Sequence, residues 1–264
     1  WIAPVDSKEN LIIDHAIVIN DKKIVALCPH KEATDKFITS NIIELDNHIL
    51  IPGLINAHCH APMTLLRGIA DDLPLEDWLN KKIWPLEEKF ISQEFVEDGA
   101  ELAIAEMILS GTTCFADMYF YPDCVAKKAI DSNMRVQLAC PVLDFPTIWA
   151  QSADEYIQKT ITIHDNYRNS ELISVAFGPH APYTVSDAPL KKIGALAEEL
   201  DIPIHMHVHE TEKEISDSMK EFGCRPLRRL SNLRLISPRL NCVHATQLNE
   251  GEIQLIAESG SNIV

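Results

Sequence analysis

The sequence has 264 residues, and 46% of them are hydrophobic, which is enough to bury a substantial core. Its 23 basic and 39 acidic side chains give a formal net charge of −16, which argues against nucleic acid and anionic membranes as partners. Seven cysteines without a C-x-x-C pair argue against a disulfide framework and a zinc knuckle. No apolar run reaches the roughly 18 residues of a membrane span and no signal peptide is visible, so we expect a cytoplasmic protein.

The first fifty residues are predicted to form a small all-β element. Short apolar runs typical of strands recur through this region, at 12–13, 16–19, 24–27, 42–45 and 48–51. The dipeptide Pro52-Gly53 marks the end of this pattern. We therefore assign residues 1–50 to part of a small β-sandwich domain.

After Gly53, strand patterns and helix patterns alternate. Helical stretches such as 93–110 and 186–200 separate most of the strands. This alternation indicates a parallel sheet, and seven units in a row favour a (β/α)8 TIM-type barrel over an open sheet. The seven strand candidates are 54–58, 112–118, 135–143, 172–178, 202–208, 240–245 and 261–264.

The predicted barrel is incomplete at its C-terminus here. A full barrel takes about 250 residues, whereas the sequence offers only residues 54–264 for it. The last strand candidate runs to the final residue, Val264. We therefore expect residues 51–264 to provide barrel strands 1 to 7 and to stop before strand 8.

Two histidines, His58 and His60, lie at the C-terminal end of the first predicted barrel strand. Side chains at i and i+2 of a strand point the same way, so both imidazoles can bind one cation at the C-terminal face of a barrel. The alternative for an isolated H-x-H is a hydrogen-bonded structural pair. Cys59 points to the opposite face, and we interpret it as a packing residue.

Three more histidines alternate along the fifth barrel strand, His205, His207 and His209. Their period of two places them on one side of the strand, which we take as the barrel interior. One of them could complete a three-histidine metal set, and the spacing does not decide which. Glu210 follows at the strand end, where it could reach a metal-bound water.

Single histidines follow two further strands, His180 after the fourth and His244 at the end of the sixth. All these groups are predicted to meet at one rim. Imidazoles and a carboxylate around an open position suit zinc or a similar divalent ion. Such a metal lowers the pKa of bound water towards about 7, and a carboxylate can then shuttle protons. This combination is suited to hydrolysis of a C–N bond.

These residues resemble the amidohydrolase superfamily and, within it, the methylthioadenosine / S-adenosylhomocysteine deaminases with their chlorohydrolase-like relatives. The resemblance covers essentially the whole chain. It implies one divalent metal ion, with zinc expected, and a hydrolase acting on the C–N bond of a cyclic amidine. The matching stretches are 52–68, 84–87, 111–119, 178–183 and 207–211.

The resemblance implies a role for each residue of the metal and proton-transfer machinery. His58, His60 and His207 would bind the metal. Glu210 would bind the substrate and exchange a proton with the purine ring nitrogen. His244 would lie beside the metal-bound water or the tetrahedral intermediate.

The resemblance also implies substrate contacts. His180 would contact the substrate, and Glu87 would bind the ribose hydroxyls. It implies no role for His205 and His209, which we expect to pack in the barrel interior.

Three family features are missing from this sequence. The fourth ligand of the family, an aspartate at the end of the eighth strand, lies beyond the part of the barrel predicted here. Some relatives bind substrate with an arginine at the third strand, and 138–144 contains none. Two-metal relatives carry a lysine at the end of the fourth strand, where this sequence has Gly178-Pro179-His180, so we expect one metal.

The predicted reaction is hydrolytic deamination at C6 of an adenine nucleoside, 5′-methylthioadenosine or S-adenosylhomocysteine, with release of ammonia. Within the superfamily, the alternatives are deamination of a free base, guanine or pterin, and hydrolysis of an aryl chloride. A further alternative is an inactive truncated fragment. The expected partner is the nucleoside, with no nucleic acid and no membrane, and a homodimer is expected by analogy with the family.

Overall fold

The computed structural model describes residues 1–6 and 10–264, and it divides into two compact units, Trp1–Leu54 and Ile55–Val264. In the first unit, β1 (His15–Asn20) and β2 (Lys23–Pro29) form an antiparallel hairpin. Asp21 in the connecting turn has φ of 54°, a left-handed conformation that aspartate tolerates better than most residues. The hairpin coincides with two of the predicted strand runs.

The remaining strand predictions in this unit are wrong. The run 42–45 pairs with no strand among the described residues, and 12–13 and 48–51 are reduced to single bridges of Ile2 with Ile12 and Leu50. Ile42 and Ile43 are 66% and 73% exposed. β-Branched residues favour strands mainly through packing against a neighbouring strand, so their pattern alone does not suffice. The β-sandwich assignment stays a prediction.

A short helix, α1 (His30–Lys36), also follows the hairpin where no element was predicted. Its sequence is polar, and it buries only Ala33, so it lacks the apolar period that identifies a helix. Glu32 and Lys36 lie one helical turn apart and form an ion pair of 2.7 Å, which stabilises this helix.

The second unit is built on a curled sheet of seven strands, and the strands from β4 to β9 pair in parallel. Spatial order follows chain order from β3 to β9, as repeated strand–helix units require. This order confirms the predicted fold class, a TIM-type barrel with seven strands in the described residues. The strands are β3 Leu54–Cys59, β4 Thr112–Asp117, β5 Arg135–Val142, β6 Ile173–Pro179, β7 Ile204–Val208, β8 Leu240–His244 and β9 Asn262–Ile263.

Helices follow most of these strands. Side chains of Ser92, Ser152, Thr211 and Asn249 accept backbone N–H groups at the first turns of four of them, which explains where those helices begin. No helix in the described part of the chain combines the length and the apolar character needed to cross a membrane. The helices are α2 Leu75–Trp78, α3 Trp84–Phe90, α4 Gln93–Leu109, α5 Pro122–Asp131, α6 Ala153–Tyr167, α7 Asp187–Leu200, α8 Glu212–Phe222, α9 Pro226–Asn232 and α10 Glu250–Ser259, with a 3-10 turn at Ala61–Leu66 and a π-helical turn at Leu79–Ile83.

The alternation of side chains along β7 separates the core from the site. Ile204, Met206 and Val208 are buried in the main hydrophobic cluster. His205 and His207 point to the other face of the same strand, because successive side chains alternate. Each fully buried apolar side chain contributes about 1.5–3 kcal/mol, so the strand is held by one face and can carry polar groups on the other.

Candidate metal centre and substrate pocket

Histidines from the ends of three strands surround His207, which lies on a fourth strand, β7. The ring centroids of His58, His60, His180 and His244 lie 4.8, 5.3, 5.0 and 5.3 Å from that of His207. They come from the ends of β3, β6 and β8, which meet β7 at the C-terminal face of the sheet. The fold therefore brings together the histidines that were predicted to share one rim.

The nitrogens of His58 and His207 are spaced for a shared cation. Nδ1 of His207 donates to the carbonyl oxygen of His180 at 2.8 Å, which leaves the Nε2 lone pair free. That Nε2 is 3.1 Å from Nε2 of His58. Two Zn–N bonds of about 2.0–2.1 Å at a tetrahedral angle would separate the nitrogens by about 3.3 Å. The pair therefore fits one zinc-sized ion.

His60 is held in the same manner. Its Nδ1 donates to the carbonyl oxygen of Met118 at 2.6 Å, and its ring lies 4.8 Å from that of His58. The ligand atoms of His58, His207 and His244 lie within 4.8 Å of one another, a group that shares two members with the predicted set. His60 as the third ligand stays a prediction.

Burial keeps these imidazoles neutral. Desolvation, followed by the charges of neighbouring histidines, lowers the pKa of His58 to about 2 and that of His180 to about 4. The same two causes hold the pKa of His207 well below its usual range. Because a metal binds the neutral imidazole, the cluster is prepared to accept a cation without first losing protons.

Glu210 and His244 form a second part of the site. An oxygen of Glu210 lies 3.5 Å from Nε2 of His244, and the His244 ring stacks on His207 at an interplanar angle of 17°. Burial raises the pKa of the Glu210 carboxyl and lowers that of His244. A carboxyl group that holds its proton more firmly than usual is suited to donate it during a reaction.

Glu214 holds the backbone that carries Glu210, and the sequence interpretation missed it. Its buried carboxylate accepts the N–H groups of His209 at 2.9 Å and Glu210 at 2.8 Å. The spacing Thr211-x-x-Glu214, typical of a helix start, could have identified it.

A cavity of about 550 Å³ adjoins the cluster. His60 and His180 line it, together with aromatic side chains such as Trp84 and Phe145 and with the predicted ribose ligand Glu87. A cavity of this size and mixed lining suits a small molecule. Glu210 and His244 are not among the described residues that line it.

Glu87 is half-buried in the wall of this cavity. The hydroxyl of Tyr119 donates to its carboxylate at 2.7 Å. Burial raises the pKa of Glu87 to about 7, although the bond from Tyr119 opposes this. Tyr119 was not singled out from the sequence, because the contact joins residues 32 positions apart.

Asp117 supports the strand end that carries His58 and His60. Its buried carboxylate accepts the N–H of Ala61 at 2.6 Å, and burial raises its pKa to about 7. Cys59 contacts the carbonyl oxygen of Ala116 at 3.4 Å, and burial raises the pKa of its thiol, in keeping with packing rather than nucleophilic chemistry.

The two histidines without an implied role differ from each other. Nδ1 of His58 lies 2.8 Å from Nε2 of His205, so His205 is in contact with the cluster. His209 has φ of 58°, so its side chain does not continue the alternation of β7. Its Nε2 accepts the N–H of Leu227, and its Nδ1 faces the carbonyl oxygen of Gln247. The expectation that His209 shares the interior face is therefore wrong, because the strand ends at Val208 and the backbone turns.

Fold and site together define a barrel protein with a histidine cluster fit for a metal at the C-terminal ends of its strands. The model of the amidohydrolase family matches residues 49–264. The chain belongs to the amidohydrolase family.

Sequence relatives agree with this assignment. The chain is 50% identical over its full length to a 5-methylthioadenosine/S-adenosylhomocysteine deaminase of Saccharophagus degradans, and covers 59% of that protein. It is 40% identical over 260 residues to the deaminase of the same name from Thermodesulfovibrio yellowstonii, and again covers 59% of it. The chain thus spans about three fifths of the length of these relatives.

Solved structures give the same picture. An adenosine deaminase from Xanthomonas campestris with bound zinc is 44% identical, with a TM-score of 0.93 over 99% of this chain and 60% of its own. A zinc complex of an atrazine chlorohydrolase from Arthrobacter aurescens reaches a TM-score of 0.86 at 21% identity, covering 99% of this chain and 63% of its own. The second likeness shows the fold alone.

Proposed function

We propose that the protein is a metal-dependent hydrolytic deaminase that acts at C6 of an adenine nucleoside, 5′-methylthioadenosine or S-adenosylhomocysteine, and releases ammonia. The observation that carries this proposal is the spacing of the His58 and His207 Nε2 atoms, 3.1 Å, with the carboxyl group of Glu210 against His244, whose ring stacks on His207. The names of the sequence relatives and of the zinc-containing Xanthomonas structure support the same reaction.

His58, His60 and His207 would hold one divalent ion, and the zinc in the Xanthomonas structure favours zinc. When bound, such an ion supplies a Lewis acid and makes water nucleophilic near neutral pH. His60 is preferred to His244 as third ligand because its Nδ1 is taken by a carbonyl oxygen, which directs Nε2 at the cluster. His244 instead has a carboxylate oxygen of Glu210 3.5 Å from its Nε2.

Glu210 is the proton carrier of the proposed reaction. Its raised pKa allows it to deliver a proton to the purine ring nitrogen while water adds to C6. The proton that the added water gives up passes to the amino group, and the C6–N bond breaks with release of ammonia. The remaining hydroxyl proton returns to Glu210, which leaves a 6-oxopurine nucleoside. His244 lies within reach of the same carboxyl group and would orient the reacting water.

Glu87 and His180 would bind the nucleoside in the cavity. A half-buried carboxylate can accept hydrogen bonds from both hydroxyls of a ribose, and the bond from Tyr119 fixes its orientation. Nδ1 of His180 lies 3.2 Å from the hydroxyl oxygen of Thr184, which leaves its Nε2 for the substrate. A ribose ligand favours a nucleoside over a free base.

The partners follow from the same proposal. The substrate is a small molecule, and the net charge of −16 disfavours nucleic acid and anionic membranes. A homodimer is proposed on analogy with the family alone.

A substrate panel tests the proposal. Ammonia release is measured for the zinc-loaded protein with 5′-methylthioadenosine, S-adenosylhomocysteine, adenine and guanine, and chloride release is measured with an aryl chloride. We expect the two thioether nucleosides to have the highest kcat/KM. Equal or faster turnover of a free base or of the chloride would contradict the nucleoside assignment.

A further inference from the structure

We propose that His205 is a positioning residue for the metal ligand His58, which it holds by accepting the hydrogen bond of the His58 Nδ1–H. This inference rests on the metal centre of the proposed function. It assigns a role to a histidine that otherwise counts as packing in the barrel interior.

The geometry places the two rings in direct contact. Nδ1 of His58 and Nε2 of His205 are 2.8 Å apart, within hydrogen-bond distance. The rings lie nearly parallel, with an interplanar angle of 21° and centroids 5.1 Å apart. His205 lies on β7 two residues before His207, so one strand carries both a ligand and the group that orients another ligand.

The direction of this hydrogen bond follows from the requirement of the cation. A neutral imidazole carries one proton, and the nitrogen that binds a metal must present its lone pair. Since Nε2 of His58 faces Nε2 of His207 at 3.1 Å, the His58 proton must be on Nδ1. Nε2 of His205 is then the acceptor, and the His205 proton lies on its own Nδ1.

His58 and the other two ligands are held by different kinds of acceptor. Nδ1 of His60 and of His207 each face a backbone carbonyl oxygen, of Met118 and His180. Nδ1 of His58 faces the side chain of His205. The orientation of this ligand is therefore sensitive to a side-chain substitution, whereas that of the other two is not.

A role in packing alone leaves the polarity of this position unexplained. His205 is 1% exposed, and its Nδ1 has no hydrogen-bond partner within residues 1–6 and 10–264. A buried polar atom without a partner is costly, and an apolar side chain would avoid that cost. A histidine at this position can accept a hydrogen bond from His58, whereas an apolar residue cannot.

The chain offers a matched control in His209. This histidine is equally buried and follows the same strand, but its ring bonds to the backbone of Leu227 and Gln247 instead of to the cluster. Its replacement removes buried hydrogen bonds without touching a ligand. Any loss of metal binding that exceeds that of the His209 control is therefore specific to the cluster.

The test measures the zinc dissociation constant by competition with a chelator, together with Tm, in the full-length protein. His205→Leu removes the acceptor at similar volume, whereas His205→Gln restores an oxygen that can accept from His58. We expect His205→Leu to weaken zinc binding about 10- to 100-fold, the usual effect of losing such a partner. His205→Gln should stay within about threefold of wild type, and His209→Leu should lower Tm with unchanged zinc affinity.

Two results would overturn the inference alone: wild-type affinity in His205→Leu, or equal weakening in the Leu and Gln variants. If the wild-type protein itself binds no zinc, the proposed metal centre fails first. Should His205→Leu not fold, nitrogen-15 NMR of the zinc-loaded wild type decides. A proton on His58 Nδ1 supports the inference, and an unprotonated Nδ1 refutes it.

Discussion

The proposed site has two parts that differ in how they are held, a metal part (the proposed ligands His58, His60 and His207) and a proton part (Glu210 and His244). Two of the imidazoles in the metal part are fixed through Nδ1 by backbone carbonyl oxygens. In the proton part, the side chains of His244 and Glu210 are 35% and 24% exposed to solvent. The difference indicates that metal ligands need fixed lone pairs, whereas groups that exchange protons need access and room to move.

The largest expected effect separates the metal part from the rest of the site. His207→Ala removes the ligand at the centre of the cluster, so bound zinc should fall from one per chain to near zero and deamination should be lost with it. Zinc content by atomic emission and ammonia release check this. His30→Ala, at an exposed histidine of α1, is the control and should keep both. Full zinc retention in His207→Ala would contradict the division into two parts.

The proton part should fail without losing the metal. Glu210→Gln keeps the shape of the side chain but cannot exchange a proton, so kcat should fall about 10²- to 10⁴-fold while zinc stays bound. Glu212→Gln, at an exposed carboxylate in the first turn of α8, serves as the control and should be unaffected. If Glu210→Gln loses its zinc, the carboxylate belongs to the metal part instead.

Substrate binding should depend on pH through Glu87. Burial raises the pKa of this carboxyl to about 7, and only the ionised form accepts hydrogen bonds from both ribose hydroxyls. KM for a nucleoside should therefore fall as pH rises through about 7, and Glu87→Ala should remove this dependence. The same variant should impair nucleosides far more than free bases. Equal impairment of both would refute the ribose assignment.

The smallest expected effect concerns the packing beneath the metal part. A Cβ on Gly99 in α4 would lie 2.5 Å from the carbonyl oxygen of Pro62, in the turn that follows His60. Gly99→Ala should therefore destabilise the protein by about 1–3 kcal/mol, as measured by denaturant unfolding. Gly251→Ala in α10 is the control, since its nearest neighbour is 3.5 Å away. A neutral Gly99→Ala would show that this contact does not support the site.

The sequence predicted the barrel more accurately than the first unit, for a physical reason. Barrel strands such as β5 and β6 are long, largely apolar runs bounded by helices, and their partners are their neighbours in the chain. The runs 12–13 and 42–45 have the same composition, but strand formation there depends on a partner that a local pattern cannot reveal.

The sequence analysis singled out site residues that lie at the ends of predicted strands. It missed contacts between residues that are far apart in the sequence. His58, His60, His180, His207 and His244 all lie at the C-terminal end of a strand or just past it, and they meet. The bond from Tyr119 to Glu87 and the contact of His205 with His58 join distant segments. The left-handed turn at His209 breaks a period of two that the sequence continues.

A crystal structure of the zinc-loaded protein tests the central claim most directly. The account predicts one zinc ion at about 2.0–2.1 Å from Nε2 of His58, His60 and His207, with His244 outside bonding distance and close to Glu210. Zinc bound to His244 in place of His60, or no zinc at the cluster, would contradict the account.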